Sequence, residues 1–369
     1  MKIAFVIGTH AELIKCMPLM LELQKRKQDY WFIHTGQHSL SESCKEFRIK
    51  KPDYVLSKEA QQNSKLKSET SMSSWLWFFS MIFRIRKLLI RLGPKYVIYH
   101  GDTISTGAAA VGSSKIMNPF KKWKNVHLEA GLRSGSLSEP FPEEIVRQVA
   151  DRFSDILLAV SDLSARNLRR ERWLFVRGKI INVGNTVVDS AAITYAEAKK
   201  TCKKQKNEYA LINMHRHENL KSEKRLEKIV EIIKSMEIRA IWPMHENTKQ
   251  ALEKFGLMHE LKKLKNLEII PLCSYLEFIF LEANCKYLVA DGGSIQEESL
   301  IFKKPCVLLR KKTERQEGLA SGINFLTELD LEYSREIIRK IENGEIKPRN
   351  FKNPYGEPGV SKKIINLLK

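Results

Sequence analysis

Short β-branched and aromatic runs, each followed by a stretch of helical character, recur along the whole chain. KIAFVIG leads into a helical stretch from about Ala11 to Arg26, and YWFIHTG, YVIYHGD, VHLEAG and DILLAVS follow. The second half repeats the plan with YALINMH, a charged helix from about Ser222 to Met236, then AIWPMH, LEIIPL, YLVADGG and PCVLLR. Strands that alternate with helices pair in parallel through right-handed crossovers. The expected fold is therefore α/β, with two Rossmann-like domains whose parallel sheets face each other across a cleft. With 369 residues the chain is long for one core and natural for two. The boundary is placed within RERWLFVRGKIINVGNT, giving an N-terminal domain 1–172 and a C-terminal domain 173–359. A final basic amphipathic helix, 360–369, is expected to pack back on the first domain.

Composition narrows the class of partner. Hydrophobic residues make up 43% and charged residues 29%, ordinary for a globular protein. The net charge of +20 favours anionic partners. Its basic residues are spread along the chain without a nucleic-acid signature, so no nucleic-acid partner is expected. Six cysteines show no C-x-x-C pair and no metal-ligand spacing, and read as reduced thiols of a cytoplasmic protein. The opening MKIAFVIG reads as a buried strand and not as a signal peptide. SSWLWFFSMIFRIRKLLIRL, residues 73–92, is interrupted by arginines too early to span a bilayer. As a helix it is either a core element or a peripheral membrane contact.

In doubly wound folds ligands sit beyond the carboxyl ends of the strands. Those ends carry Gly8-Thr9-His10, His34 to His38, His100 to Thr103, Glu129 to Gly131, His215 to Asn219, His245 and Asp291 to Ser294. Gly292, Gly293 and Ser294 open a helix and form an anion-facing turn, with Glu298 one turn on, placed for ribose hydroxyls. GTHAELIK is a second such turn, with Lys15 on the first turns of its helix. Two phosphate-friendly turns imply a nucleotide diphosphate as ligand. In NMHRHENL, His215 and His217 lack a third ligand of suitable spacing, so no metal is expected. His215 and Arg216 instead suit a proton donor and a charge stabiliser beside a departing diphosphate. Asp102 is either a buried proton-transfer group or the cap of a helix starting near Ser105. In HLEAGLRSGSLSEPFPEE, Gly131, Gly135, Pro140 and Pro142 exclude a regular helix and brace a loop that presents Glu129 and Glu143.

Taken in order, GTHAELIK, TGQH, HGDT, EAGLRS with PFPEE, GNTVVD, HRHEN, the stretch from Asp291 to Glu298, TERQE and NPYG resemble the UDP-N-acetylglucosamine 2-epimerase family of the non-hydrolysing type. The resemblance implies a GT-B fold and reversible epimerisation at carbon-2 of a UDP-N-acetylhexosamine. In that reaction UDP is eliminated to leave 2-acetamidoglucal, then added back, without a cofactor. It implies catalytic roles for Asp102, Glu129, Glu143 and His215. It further implies substrate contacts at His10, Lys15, Arg147, Gly292, Gly293, Ser294 and Glu298, and a homodimer.

Two positions depart from the family pattern. G-T-R-P-E reads Gly8-Thr9-His10-Ala11-Glu12, which replaces a permanent bidentate phosphate ligand by a histidine. D-S-G-G reads Asp291-Gly292-Gly293-Ser294, which moves the hydroxyl two places. Allosteric activation by a second UDP-sugar is not carried over, since 57–74 lacks part of the family's second site. The alternatives are a GT-B glycosyltransferase at a membrane surface and a hydrolysing epimerase that releases N-acetylmannosamine and UDP.

Overall fold

The computed structural model describes residues 2–58, 72–135, 142–174, 176–347 and 351–369. They form two compact units, Met1–Ser190 with Pro354–Lys369, and Ala191–Asn353. The first holds seven parallel strands: β1 (Ile3–Ile7), β2 (Tyr30–His34), β3 (Tyr54–Val55), β4 (Tyr96–His100), β5 (Lys124–Ala130), β6 (Ile156–Ala159) and β7 (Lys179–Asn182). Their order is β3-β2-β1-β4-β5-β6-β7. Every residue of β1 and β4 is buried, because helices cover both faces; this is why these strands read as unbroken apolar runs. The chain winds outward from β1 to β3, then returns to β4 and proceeds the other way. The carboxyl ends of β1 and β4 therefore flank a point where the winding reverses, which opens a crevice for a ligand.

The second unit repeats this with six parallel strands: β8 (Tyr209–Asn213), β9 (Arg239–Met244), β10 (Leu267–Pro271), β11 (Tyr287–Ala290), β12 (Cys306–Leu308) and β13 (Asn324–Leu326). The order β10-β9-β8-β11-β12-β13 puts its reversal between β8 and β11.

The expected boundary at 172/173 is corrected by β7. KIIN pairs in register with β6 (Leu157 with Ile180, Ala159 with Asn182) and so completes the first sheet. The first unit runs on to Ser190, whose Oγ donates to the Ile14 carbonyl at 2.7 Å. The chain returns to it from Pro354, before the expected 360. The terminal helix Val360–Leu367 packs on the helix His10–Lys25. Its start is anchored by the Asp189 carboxylate, which accepts the Gly359 and Ser361 amides at 2.6 Å each.

The aromatic segment forms the helix Met72–Leu92. Met81, Ile82, Ile85, Leu88 and Leu89 are buried in the first unit's core. The neighbouring helix Ile104–Ser113 comes close at Gly112, where a β-carbon would lie 2.8 Å from the Ile82 carbonyl oxygen. Among the described residues no helix is long and apolar enough to cross a membrane.

One core group in the second unit is out of keeping with its surroundings. Glu282, in the helix Tyr275–Asn284, is fully buried, and neither carboxyl oxygen has a hydrogen-bond partner among the described residues. Burial, reinforced by Glu298, pushes its pKa well above the usual carboxylate range. The fold thus keeps Glu282 protonated while the unfolded chain ionises it near pH ~4.3. The unfolded state then binds fewer protons, so this residue lowers stability as pH rises above that value, until the raised folded-state pKa is reached. The limiting slope is about 1.4 kcal/mol per pH unit. Glu282→Gln is expected to be more stable than wild type at pH 8 and to gain little at pH 4. Urea titrations at both pH values read this directly; equal gains at the two would contradict a neutral carboxyl.

Candidate active site

At the first winding reversal, Gly8 has no room for a side chain: a β-carbon would fall 2.0 Å from Ser105 Oγ and 2.5 Å from Thr35 Oγ1. Thr9 then caps the helix His10–Lys25 in a capping box with Glu12. Glu12 is 1% exposed; its Oε2 accepts from the amides of Gly8 at 2.6 Å and Thr9 at 2.8 Å. Its Oε1 accepts from the hydroxyls of Thr103 at 2.6 Å and Thr106 at 2.7 Å. This corrects the reading of GTHAELIK as an anion-facing turn: its leading amides are already satisfied by a carboxylate of the same chain. Glu12 instead locks the turn after β1 to the turn after β4. His10 points elsewhere, with Nδ1 2.6 Å from Ser43 Oγ and its ring stacked on Phe47. Burial, with His38 second, holds its pKa below the ordinary histidine value, so it is neutral at pH 7 and does not replace an arginine's charge.

Glu129 occupies the most unusual backbone position in the site. Its φ is 65°, in the left-handed region, and the β5–β6 register shifts between Leu128 and Ala130. Such a bulge re-aims one side chain while the strand continues on either side. The carboxylate it aims is 5% exposed. Lys15 Nζ donates to Oε2, with His100 Nε2 at 3.3 Å and Asn185 Nδ2 donating at 3.3 Å. Lys15 is 2% exposed and therefore meets Glu129 as a buried ion pair.

Asp102 does not cap the next helix. Thr103 does so, accepting the Thr106 amide at 3.1 Å, and the Asp102 carboxylate pairs with Arg147. Arg147 is 1% exposed and also donates to Glu144 at 2.7 Å. The expectation that 127–144 contains no regular helix is corrected at its end: Glu143 and Glu144 open the helix Glu143–Phe153. Residues 136–141, with the expected bend at Pro140, lie outside the described residues. Glu143 is half-buried on that first turn. Arg147 binds its helix to the Asp102 loop, so Asp102, Glu129 and Glu143 share the carboxyl end of one sheet.

A further layer supports this loop. His127 is fully buried, with Nδ1 2.7 Å from Asp151 and Nε2 2.8 Å from the Gly101 carbonyl. Burial works against the Asp151 charge, but Arg133 and His127 outweigh it and hold its pKa below the ordinary range.

In the second unit, fully buried Asp291 joins the turns after β8 and β11. Its carboxylate accepts from the amides of His215 at 3.0 Å and Arg216 at 2.9 Å, and from Asn219 Nδ2 at 3.0 Å. The His215 imidazole is half exposed, and its Cε1 lies 3.5 Å from where a Gly292 β-carbon would be. His245 stands near it; burial and then His215 lower its pKa. Ser294 opens the helix Ile295–Phe302 without a side-chain cap bond. Glu298 is 3% exposed and accepts from the Tyr275 hydroxyl at 2.7 Å.

Gly293 is backed by a group outside the expected site set. A β-carbon there would lie 2.8 Å from Arg315 Nη1. Arg315 is held by Glu297, at 3.1 Å, and by Glu314. The TERQE motif thus wraps the start of the helix that follows the glycines.

Two doubly wound units, each with its polar residues gathered at the winding reversal, define the GT-B fold. A sequence profile of the UDP-N-acetylglucosamine 2-epimerase family matches residues 21–369. The UDP-N-acetylglucosamine 2-epimerase of Methanocaldococcus jannaschii is 33% identical over 100% of this chain and 99% of its own. The UDP-2,3-diacetamido-2,3-dideoxy-D-glucuronate 2-epimerase of Pseudomonas aeruginosa is 31% identical over 88% of each chain. Among solved structures, the Neisseria meningitidis UDP-GlcNAc 2-epimerase bound to UDP-GlcNAc aligns with a TM-score of 0.84 at 30% identity, covering 100% of this chain and 99% of that one. The Methanocaldococcus jannaschii enzyme in complex with UDP-GlcNAc and UDP aligns with a TM-score of 0.83, with the same coverage. The chain belongs to the UDP-N-acetylglucosamine 2-epimerase family.

Proposed function

We propose that this chain interconverts UDP-N-acetylglucosamine and UDP-N-acetylmannosamine by eliminating and re-adding UDP, without hydrolysis and without a cofactor. A carboxylate of the Asp102, Glu129 and Glu143 set takes the carbon-2 proton. The carbon-1 to oxygen bond breaks with its electron pair on UDP, and the carbon-1 to carbon-2 double bond of 2-acetamidoglucal forms. A second acid delivers a proton to the opposite face of carbon-2, and the UDP oxygen re-attacks carbon-1. His215 serves the departing diphosphate as proton donor. Gly292, Gly293 and Ser294 accommodate the diphosphate and Glu298 the ribose, and Lys15 serves the first unit's site through its pair with Glu129. Arg147 acts by holding Asp102 in place.

The observation that carries this reading is Glu129, a non-glycine residue at φ 65° on a bulge, with a lysine and a histidine on one carboxylate oxygen. Left-handed backbone at a bulky residue costs on the order of 1 kcal/mol and persists where a side chain must be aimed. The reading also takes the chain as a cytoplasmic homodimer.

Incubation with UDP-N-acetylglucosamine in deuterated water, followed by NMR, tests the reaction. The expected product is UDP-N-acetylmannosamine carrying deuterium at carbon-2. Free N-acetylmannosamine would show a hydrolysing enzyme, and no product at all would refute the reading. A UDP-linked diacetamido uronic acid is the second substrate for the same assay, because the Pseudomonas aeruginosa relative, named for such a sugar, is similar at 31% identity.

A further inference from the structure

The GNTVVD and NPYG segments carry none of the acids of the site, yet they join beside Glu129. Asn185 is 1% exposed at the entry to the helix Val187–Thr201. Its backbone amide donates to the carbonyl of fully buried Tyr355 at 2.8 Å. Gly184 approaches the same carbonyl so closely that a β-carbon would lie 2.6 Å from its oxygen. The Asn185 side chain is committed at both of its polar atoms. Oδ1 accepts the Val187 amide at 3.0 Å, in a turn that starts the helix. A backbone N–H can only donate, so this bond decides which end of the carboxamide is the oxygen. The other end is therefore Nδ2, and it donates to Glu129 Oε2 at 3.3 Å.

Three elements reach that one oxygen. Lys15 comes from the helix His10–Lys25, His100 Nε2 stands 3.3 Å away at the end of β4, and Asn185 comes from the segment after β7. The bulge in β5 aims the Glu129 β-carbon, but the last torsion of a glutamate is broad, so the carboxylate plane is left to its partners. Lys15 brings charge on a flexible stem with rotatable donors. Asn185 brings a planar donor whose direction is already fixed by Val187 and Tyr355.

We infer that Asn185 is the positioning residue of Glu129: its amide sets the direction of the carboxylate that exchanges a proton at carbon-2, and the junction of GNTVVD with NPYG holds that amide in place. This role rests on the proposed epimerisation and adds to it a residue outside the acids, histidine and glycines of the site.

Two variants test it, because each keeps an oxygen acceptor for the turn and removes the donor to Glu129. Asn185→Ser is expected to lower kcat, followed as deuterium incorporation at carbon-2, by about 10- to 100-fold. KM should stay within about threefold, since aiming a proton-transfer group does not alter uniform binding. Asn185→Asp sets a carboxylate against Glu129. Two carboxylates on one site resist ionising together, so the limb of the kcat–pH profile that reports Glu129 should move up by about one pH unit or more. The position of that limb does not depend on how much protein is folded, so it is readable even where the buried aspartate lowers the melting temperature. An Asn185 that serves only the turn predicts wild-type kcat per folded molecule in the serine variant and an unmoved profile in the aspartate variant. That result overturns the inference and leaves the epimerase reading standing. Wild-type protein that exchanges no deuterium at carbon-2 overturns the epimerase reading, and the role of Asn185 falls with it.

Discussion

Replacing Glu129 by glutamine is expected to lower kcat by about 10²- to 10⁴-fold, the usual range for loss of a positioned acid or base. Glutamine keeps the size of the side chain and can still accept from Lys15, but it cannot take or deliver a proton at carbon-2. The bulge between Leu128 and Ala130 is unaffected by this change, but Lys15 loses the carboxylate of its buried pair, so the variant should also be less stable and its kcat is read on protein shown to be folded by thermal melting. Affinity for UDP should stay within about threefold, since the carboxylate serves proton transfer and not uniform binding. Deuterium exchange at carbon-2, measured separately from UDP release, identifies the failing step. A variant within tenfold of the wild-type kcat would transfer the proton role to Asp102 or Glu143 and leave Glu129 as the partner that holds Lys15 in place.

Much of the architecture is legible because parallel strands buried on both faces leave uninterrupted apolar runs. YVIYH and IAFVI show this at β4 and β1, where every residue is buried. The strand-end positions expected for Glu129 and Asp102 are seen too, at adjacent ends of β5 and β4. What escapes a reading of the sequence is mostly a matter of partners distant along the chain. KIIN looks like the start of a new domain, yet its pairing with β6 makes it the edge of the first sheet. Glu144 carries no local sign of importance beside Glu143, and only the fold reveals it as 2% exposed and bonded to Arg147. Glu12 does leave a trace: threonine followed three residues later by glutamate is the spacing of a capping box. That spacing is enough to predict that the first turn's amides are taken. Arg315 sits in a motif plain in the sequence, but its contact with Gly293 depends on the glycine's missing side chain, which no local pattern conveys.

Arg147 should be the residue whose loss costs the fold most in this site. Its guanidinium is 1% exposed and joins Asp102, at the end of β4, to Glu144, on the first turn of the helix that also carries Glu143. Arg147→Met fits the volume but removes the cation from between two carboxylates, and Glu144 is itself only 2% exposed. Breaking a buried pair in this one-sided way costs about 3–5 kcal/mol. Thermal unfolding of the first unit is expected to drop by on the order of 10 °C. Much of that loss should return in Arg147→Met with Glu144→Gln, because the uncompensated charge is then gone. Activity should not return with it, because Asp102 still lacks the group that fixes its direction. Stability recovered without kcat is the signature of a positioning residue. If the double variant regains both, Asp102 needs no guanidinium to be aimed, and the proton inventory of the site reduces to Glu129 and Glu143.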